Sequence, residues 1–233
     1  MLKINHLSKT YADGKIGVKD LNLSVEAGDI CAFIGPNGSG KTTTIRCVVG
    51  TLNFEEGEIL IDNHSVQNEP IECKKITAYI PDNPDVYTNL TGNEYLNFVA
   101  SVYRISAEER DKAIQYYAEK WDLTNDLGLP IKSYSHGMRQ KLVLIAAFMR
   151  KPKLLVLDEP FVGLDPQASF TLKNIMQEFV KNGGAIFYST HVLEVAEKLC
   201  NKVVMIKNGT IIKQGTMKDI KADKSLEEVF LNA

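Results

Sequence analysis

The stretch "DICAFIGPNGSGKTTTIRCVVG", residues 29–50, decides the fold. Its apolar opening reads as a buried strand that runs into a glycine-rich loop, and "KTTTIRCVVG" reads as a helix stopped by Gly50. From Gly35 to Thr42 the loop satisfies G-x-x-x-x-G-K-[ST], in the strand–loop–helix setting that this pattern requires. Gly35, Gly38 and Gly40 let the backbone wrap an anion and turn its N–H groups inward. Pro36, Asn37 and Ser39 complete the loop, and Thr43 follows it. The helix adds its positive end. Lys41 is spaced to reach the β- and γ-phosphates of a nucleotide, and Thr42 to hold Mg²⁺.

Outward from this unit, "LKINHLSKTY" and "GVKDLNLSVEAG" read as short strands that form a small antiparallel layer. "GEILIDNHSV" and "KITAYIP" read as further strands. From about Thr91 to Arg150 the apolar spacing becomes helical, with Thr91 and Ser106 as N-caps. Beyond it, strand "KLLVLDE", helix "PQASFTLKNIMQEFVKNG", strand "AIFYST", helix "VLEVAEKLC" and strands "KVVMIKNG" and "TIIKQG" alternate again. Such alternation predicts an α/β core around a mainly parallel sheet. The expected organisation is a single domain over residues 1–233. Residues 1–84 and 151–233 form a phosphate-loop NTPase core with an N-terminal antiparallel β layer, and residues 85–150 form an inserted helical subdomain.

Composition narrows the function. Apolar residues make up 44% and charged residues 24%, near globular averages, which excludes a disordered or fibrous chain. A formal net charge of -2 offers no bulk attraction for nucleic acid, and no nucleic-acid partner is expected. Cys31, Cys47, Cys73 and Cys200 form no C-x-x-C pair and read as small hydrophobes in a reducing compartment. The longest apolar run, residues 142–149, is far short of the roughly 18 residues that span a bilayer. The N-terminus carries no apolar segment of the secretory type. A cytoplasmic protein is expected, with any membrane role reached through a partner.

"KLLVLDEP" places two acids at the end of four apolar residues, so a buried parallel strand would deliver Asp158 and Glu159 at its C-terminal edge, where open α/β sheets bind ligands. Alone, such a pair is an ordinary helix cap. Beside the phosphate loop it predicts nucleotide hydrolysis, with Asp158 binding Mg²⁺ and Glu159 polarising the attacking water.

Three segments then resemble the ATP-binding-cassette (ABC) ATPases, the motor subunits of ABC transporters. They are "GPNGSGKTT", "YSHGMRQK" followed by "LLVLDEP", and "GLDP" followed by "STH", in an order and spacing that match over essentially the whole chain. The resemblance implies ATP and Mg²⁺ as ligands and a head-to-tail dimer with a second ATPase subunit, either a second copy or a different cassette. It implies that Tyr11 stacks on adenine, and that residues 134–138 stand at the family signature "LSGGQ" and bind the γ-phosphate held by the partner protomer. Gly163, Leu164, Asp165 and Pro166 look like the loop that crosses the dimer interface, and His191 looks like the histidine that contacts the γ-phosphate. Two departures stand out. Asp82 occupies the place of the family's glutamine, where it either coordinates Mg²⁺ or forms a turn within "PDNP". In the signature, His136 and Met138 replace Gly and Gln, while Ser135 and Gly137 remain to supply a hydroxyl and an uncluttered N–H. His136 is expected to face solvent.

"YIPDNPDVYTNLTGNEYLNF" resembles bacterial cassettes paired with a separate transmembrane permease, often an exporter, which implies a location on the inner face of the membrane through that permease. Val86, Tyr87, Leu90 and Leu96 are candidates for the groove that receives it. The alternative is a cassette ATPase without a permease, acting in cofactor assembly. A kinase or GTPase gives no reason for a signature segment, and no N-K-x-D motif is present.

Overall fold

A computed structural model of the chain describes residues 1–222 and 224–232; residues 223 and 233, in the segment expected to complete the core, lie outside that description. In chain order, β1 (Leu2–Thr10) and β2 (Ile16–Val25) precede β3 (Ile30–Ile34) and α1 (Lys41–Val48). The hairpin of β4 (Glu56–Ile61) and β5 (His64–Ser65) leads to α2 (Pro70–Ile76) and β6 (Thr77–Ile80). Next come α3 (Gly92–Val102), α4 (Ala107–Lys120) and α5 (His136–Met149). The chain returns through β7 (Leu154–Asp158), α6 (Pro166–Lys181), β8 (Ala185–Thr190), α7 (Leu193–Leu199), β9 (Lys202–Lys207) and β10 (Thr210–Thr216), then α8 (Met217–Lys221) and α9 (Leu226–Leu231).

The larger sheet has the order β10-β9-β3-β8-β7-β6, parallel except for β10, which runs antiparallel to β9 at the edge. The interior strands β3, β7 and β8 are buried at every position because both faces are covered, and alternate residues serve different cores. Ile30, Ala32, Leu155, Leu157, Ile186 and Tyr188 pack beneath the helices. Cys31, Phe33, Leu154, Val156 and Phe187 pack against α1 and the antiparallel sheet β2-β1-β4-β5. Burying each such large side chain contributes about 1.5–3 kcal/mol. All four cysteines are buried and unpaired, as small hydrophobes.

The capping residues read from sequence do their work locally. Thr91 and Glu94 form a reciprocal capping box at α3, and Ser106 accepts the Glu109 N–H at α4. Arg150, just past α5, joins the helices to the sheet. Its guanidinium lies 3.5 Å from the Tyr103 ring centroid and donates to the carbonyls of Lys74 and Thr77 at 2.9 and 2.8 Å. Three helices escaped the sequence reading. α2 buries only Cys73, and α8 and α9 are too short for an apolar period to register. "GEILIDNHSV" is two strands, because Asp62 and Asn63 both take positive φ in a tight turn.

Candidate active site

The parallel strands deliver their C-terminal ends to one edge of the sheet, and the phosphate loop leaves β3 at that edge. The loop is braced on its outer side: Ser39 N–H donates to Pro36 O, and Gly209 N–H donates to Ser39 O. Gly40 sits at φ +109 with its α-carbon against Gly17; a Cβ would lie 2.7 Å from the Gly17 carbonyl oxygen. Only glycine fits there. Lys41 is buried, and its Nζ donates to Gly35 O at 2.7 Å and Pro36 O at 3.2 Å. Burial holds its ammonium below the ordinary lysine value, against the pull of the Glu159 and Asp158 carboxylates. Ser39 Oγ is sealed from solvent, with no partner among the described residues. A polar cleft of about 240 Å³ runs past Asn37, Gly38, Lys41, Thr42 and Thr43 to Tyr11. The Tyr11 hydroxyl lies 2.9 Å from Thr43 Oγ1, and its ring rests against Gly17, where a Cβ would approach Cε2 to 2.9 Å. The sequence reading missed Gly17, whose signal lies in the approach of a distant ring.

β7 carries Asp158 to the same edge. Thr42 Oγ1 donates to Asp158 Oδ2 at 3.3 Å, and Ser189 Oγ donates to Asp158 Oδ1. Strand register explains the second contact, since Asp158 and Ser189 are direct partners across β7 and β8. Ser189 was present in "STH" without a role. Glu159 adopts φ 48, a left-handed conformation that costs a non-glycine residue about 1–3 kcal/mol and clusters at functional sites. Its N–H donates to Ser189 O at 3.2 Å, and Oε1 lies 2.8 Å from His191 Nδ1, whose N–H tautomer donates to the carboxylate. A hydroxyl from Thr42 and a carboxylate from Asp158 form a two-oxygen donor set that fits a small hard cation. Mg²⁺ takes few protein ligands and keeps waters and substrate phosphate oxygens.

Other expected residues lie differently. Asp82 is exposed beyond β6, accepts the Asn83 N–H at 2.9 Å, and among the described residues makes no bond to Thr42 or Asp158. Ser135 is exposed and caps α5, accepting the Met138 N–H at 3.2 Å and leaving its own O–H free to donate. Gly137 is less open than expected, because a Cβ there would stand 2.7 Å from the Gly163 carbonyl oxygen. His136, expected to face solvent, is half-buried. It packs on Gly163, and its Nε2 is sealed, without a partner among the described residues. Val86, Tyr87, Leu90 and Phe98 line an exposed groove, whereas Leu96, expected there, is fully buried inside the helical layer.

A strand–loop–helix cradle with a strand-borne aspartate and glutamate at one sheet edge defines a phosphate-loop nucleoside triphosphatase. The family model described as ABC transporter matches residues 18–162. The ABC-type transporter ATP-binding protein EcsA of Bacillus subtilis is 30% identical over 236 residues, covering 99% of this chain and 95% of that protein. The SkfA peptide export ATP-binding protein SkfE of the same organism is 34% identical over 212 residues, covering 91% of this chain and 87% of that one. Among solved structures, an ATP binding subunit of an ABC transporter superposes with a TM-score of 0.95 at 33% identity, over 100% of this chain and 98% of the other. A dimeric cassette in a post-hydrolysis state, bound to ADP and Pi, shares the fold with a TM-score of 0.84 at 23% identity, over 93% of this chain and 99% of its own. The chain belongs to the ABC transporter family, as an ATP-binding and ATP-hydrolysing subunit.

Proposed function

We propose that this subunit hydrolyses ATP at a site closed by a second cassette and so drives a separate transmembrane permease. The observation that carries the reading is the convergence of Thr42, Asp158, Glu159, Ser189 and His191 beside the phosphate loop. The backbone N–H groups of residues 37–43 and Lys41 hold the phosphates, with Lys41 exchanging its Gly35 and Pro36 carbonyl partners for phosphate oxygens. Tyr11 stacks on adenine. Thr42 and Asp158 would hold Mg²⁺, and the ion when bound neutralises phosphate charge. Glu159 accepts a hydrogen bond from the water that attacks the γ-phosphorus in line, giving ADP and phosphate. His191 stands between Glu159 and the γ-phosphate.

Ser135 and Gly137 meet the γ-phosphate of the partner's ATP, the partner being a second copy or a related cassette. The exposed groove of Val86, Tyr87, Leu90 and Phe98, with Tyr87 edge-on to Phe98 at 5.6 Å, supports a permease segment seated on a helical subdomain of residues 85–150, inserted in a core of residues 1–84 and 151–233. Among the described residues no helix is long and apolar enough to cross a membrane, so attachment to the inner membrane face runs through the permease. The likeness to a peptide export ATP-binding protein supports export.

Glu159→Gln tests the centre of this reading. The variant should bind ATP, turn over about 10²–10⁴-fold more slowly, and accumulate as an ATP-bound dimer. Undiminished hydrolysis would remove Glu159 from its role.

A further inference from the structure

We propose that His136 is a positioning residue that seats residues 160–165 against the first turn of α5, so that the signature turn and Glu159 move as one body. The inference rests on the reading that Ser135 and Gly137 meet the partner's nucleotide while Glu159 serves the chain's own. The fit is close at Gly163, where a Cβ would lie 2.1 Å from His136 Cδ2 and 2.8 Å from Nε2. The imidazole edge therefore occupies the space above a residue that has no side chain. Because Nε2 is buried without a partner, the contact is one of shape rather than hydrogen bonding. A neighbouring fit has the same character, with Gly137 lying under the Gly163 carbonyl.

One helical turn further on, the grip continues through polar groups. Gln140 Nε2 donates to Pro160 O at 3.4 Å, and Lys141 Nζ pairs with Asp165 Oδ2 at 3.2 Å. Asp165 in turn caps α6 through the Ala168 N–H at 2.7 Å. The first two turns of α5 thus hold the loop at its start, middle and end. That loop begins at the residue after Glu159, whose positive φ persists only while both flanks hold it. A shift of α5 when the partner's phosphate arrives at Ser135 is passed through His136 to Gly163, and from there to Glu159. The signature that the chain otherwise resembles has glycine in place of His136, which would leave this seat empty.

A double-mutant cycle on the full chain tests the proposal, using ATPase rate, Hill coefficient for ATP, binding of a fluorescent ATP analogue, and Tm. His136→Gly should keep analogue binding within about 2-fold, lower kcat by about 5–10-fold, and bring the Hill coefficient towards one. Gly163→Ala introduces both φ strain and the clash with His136. It should lower kcat by about 10²-fold alone but by only about 10-fold in the His136→Gly background, since the φ strain cancels in the cycle. Equal losses in the two backgrounds would overturn the proposal, as would wild-type kcat and Hill coefficient in His136→Gly. Coupling visible in Tm but absent from kcat would make His136 a packing residue and also overturn it. Failure of the underlying reading shows elsewhere, in undiminished hydrolysis by Glu159→Gln.

Discussion

The starts of α1 and α5 both combine glycine and hydroxyl residues with nearby cations, and they differ in what they do with their positive charge. At the phosphate loop, Lys41 is turned inward onto backbone carbonyls that a phosphate can displace. At the start of α5, Lys141 is committed to Asp165 and the Arg139 Nε is buried, so the turn offers outward the Ser135 hydroxyl and helix amides. The first is a whole cradle within one chain. The second commits Lys141 to a carboxylate, and as proposed above it meets an anion held mainly elsewhere, on another protomer's phosphate loop.

Substitutions can break this comparison. The largest effect is expected from Ser135→Arg, which should abolish turnover, about 10³-fold or more, while ATP binding to its own phosphate loop stays unchanged. Mixing it with Lys41→Ala protein should restore up to about a quarter of wild-type turnover by random pairing. No recovery on mixing would end the claim that the α5 turn serves the partner's site. Lys41→Ala comes next, weakening ATP binding by about 10–10²-fold, since a charge-assisted hydrogen bond contributes about 1.5–3 kcal/mol. Titration with a fluorescent ATP analogue measures it, and unaltered affinity would show that the carbonyl-bound Lys41 never turns to phosphate. Arg150→Ala should lower stability by about 2 kcal/mol, seen as a Tm several degrees lower, by loosening the end of α5 from the Lys74 and Thr77 carbonyls. Nucleotide affinity should hold, and a matching loss of affinity would mean that the two regions are not separable. Tyr11→Phe is the smallest change, about 2–5-fold in ATP affinity, because it removes the bond to Thr43 and keeps the ring. If Tyr11→Phe lost as much as Tyr11→Ala, the ring itself would contribute nothing.

Much of this was legible along the chain, because the phosphate loop packs its chemistry into consecutive residues and its flanking strand and helix announce themselves by apolar pattern. The carboxylates at 158 and 159 were legible for the same reason, a continuous apolar run ending in acids. Thr91 and Ser106 were readable because a cap is a local event spanning three or four residues. Ser189 was not, since its role comes from register between two strands far apart in sequence. Leu96 and Phe98 were interchanged in the reading of the groove, because helical spacing alone does not tell which face of α3 meets its neighbours. His136 was misread for a related reason. A histidine in a polar turn looks exposed until the loop that covers it is in place.

By itself, then, the sequence determined the nucleotide cradle, the order of the longer strands and helices, and the residues with charge to offer. These are properties of contiguous segments, carried by periodicity and by short motifs. Tertiary structure alone decided which groups meet: Asp158 with Ser189 and Thr42, Glu159 with His191, and His136 with Gly163. Each pair joins residues well separated along the chain, and no local preference of either residue specifies a partner that only sheet register and helix packing bring within reach.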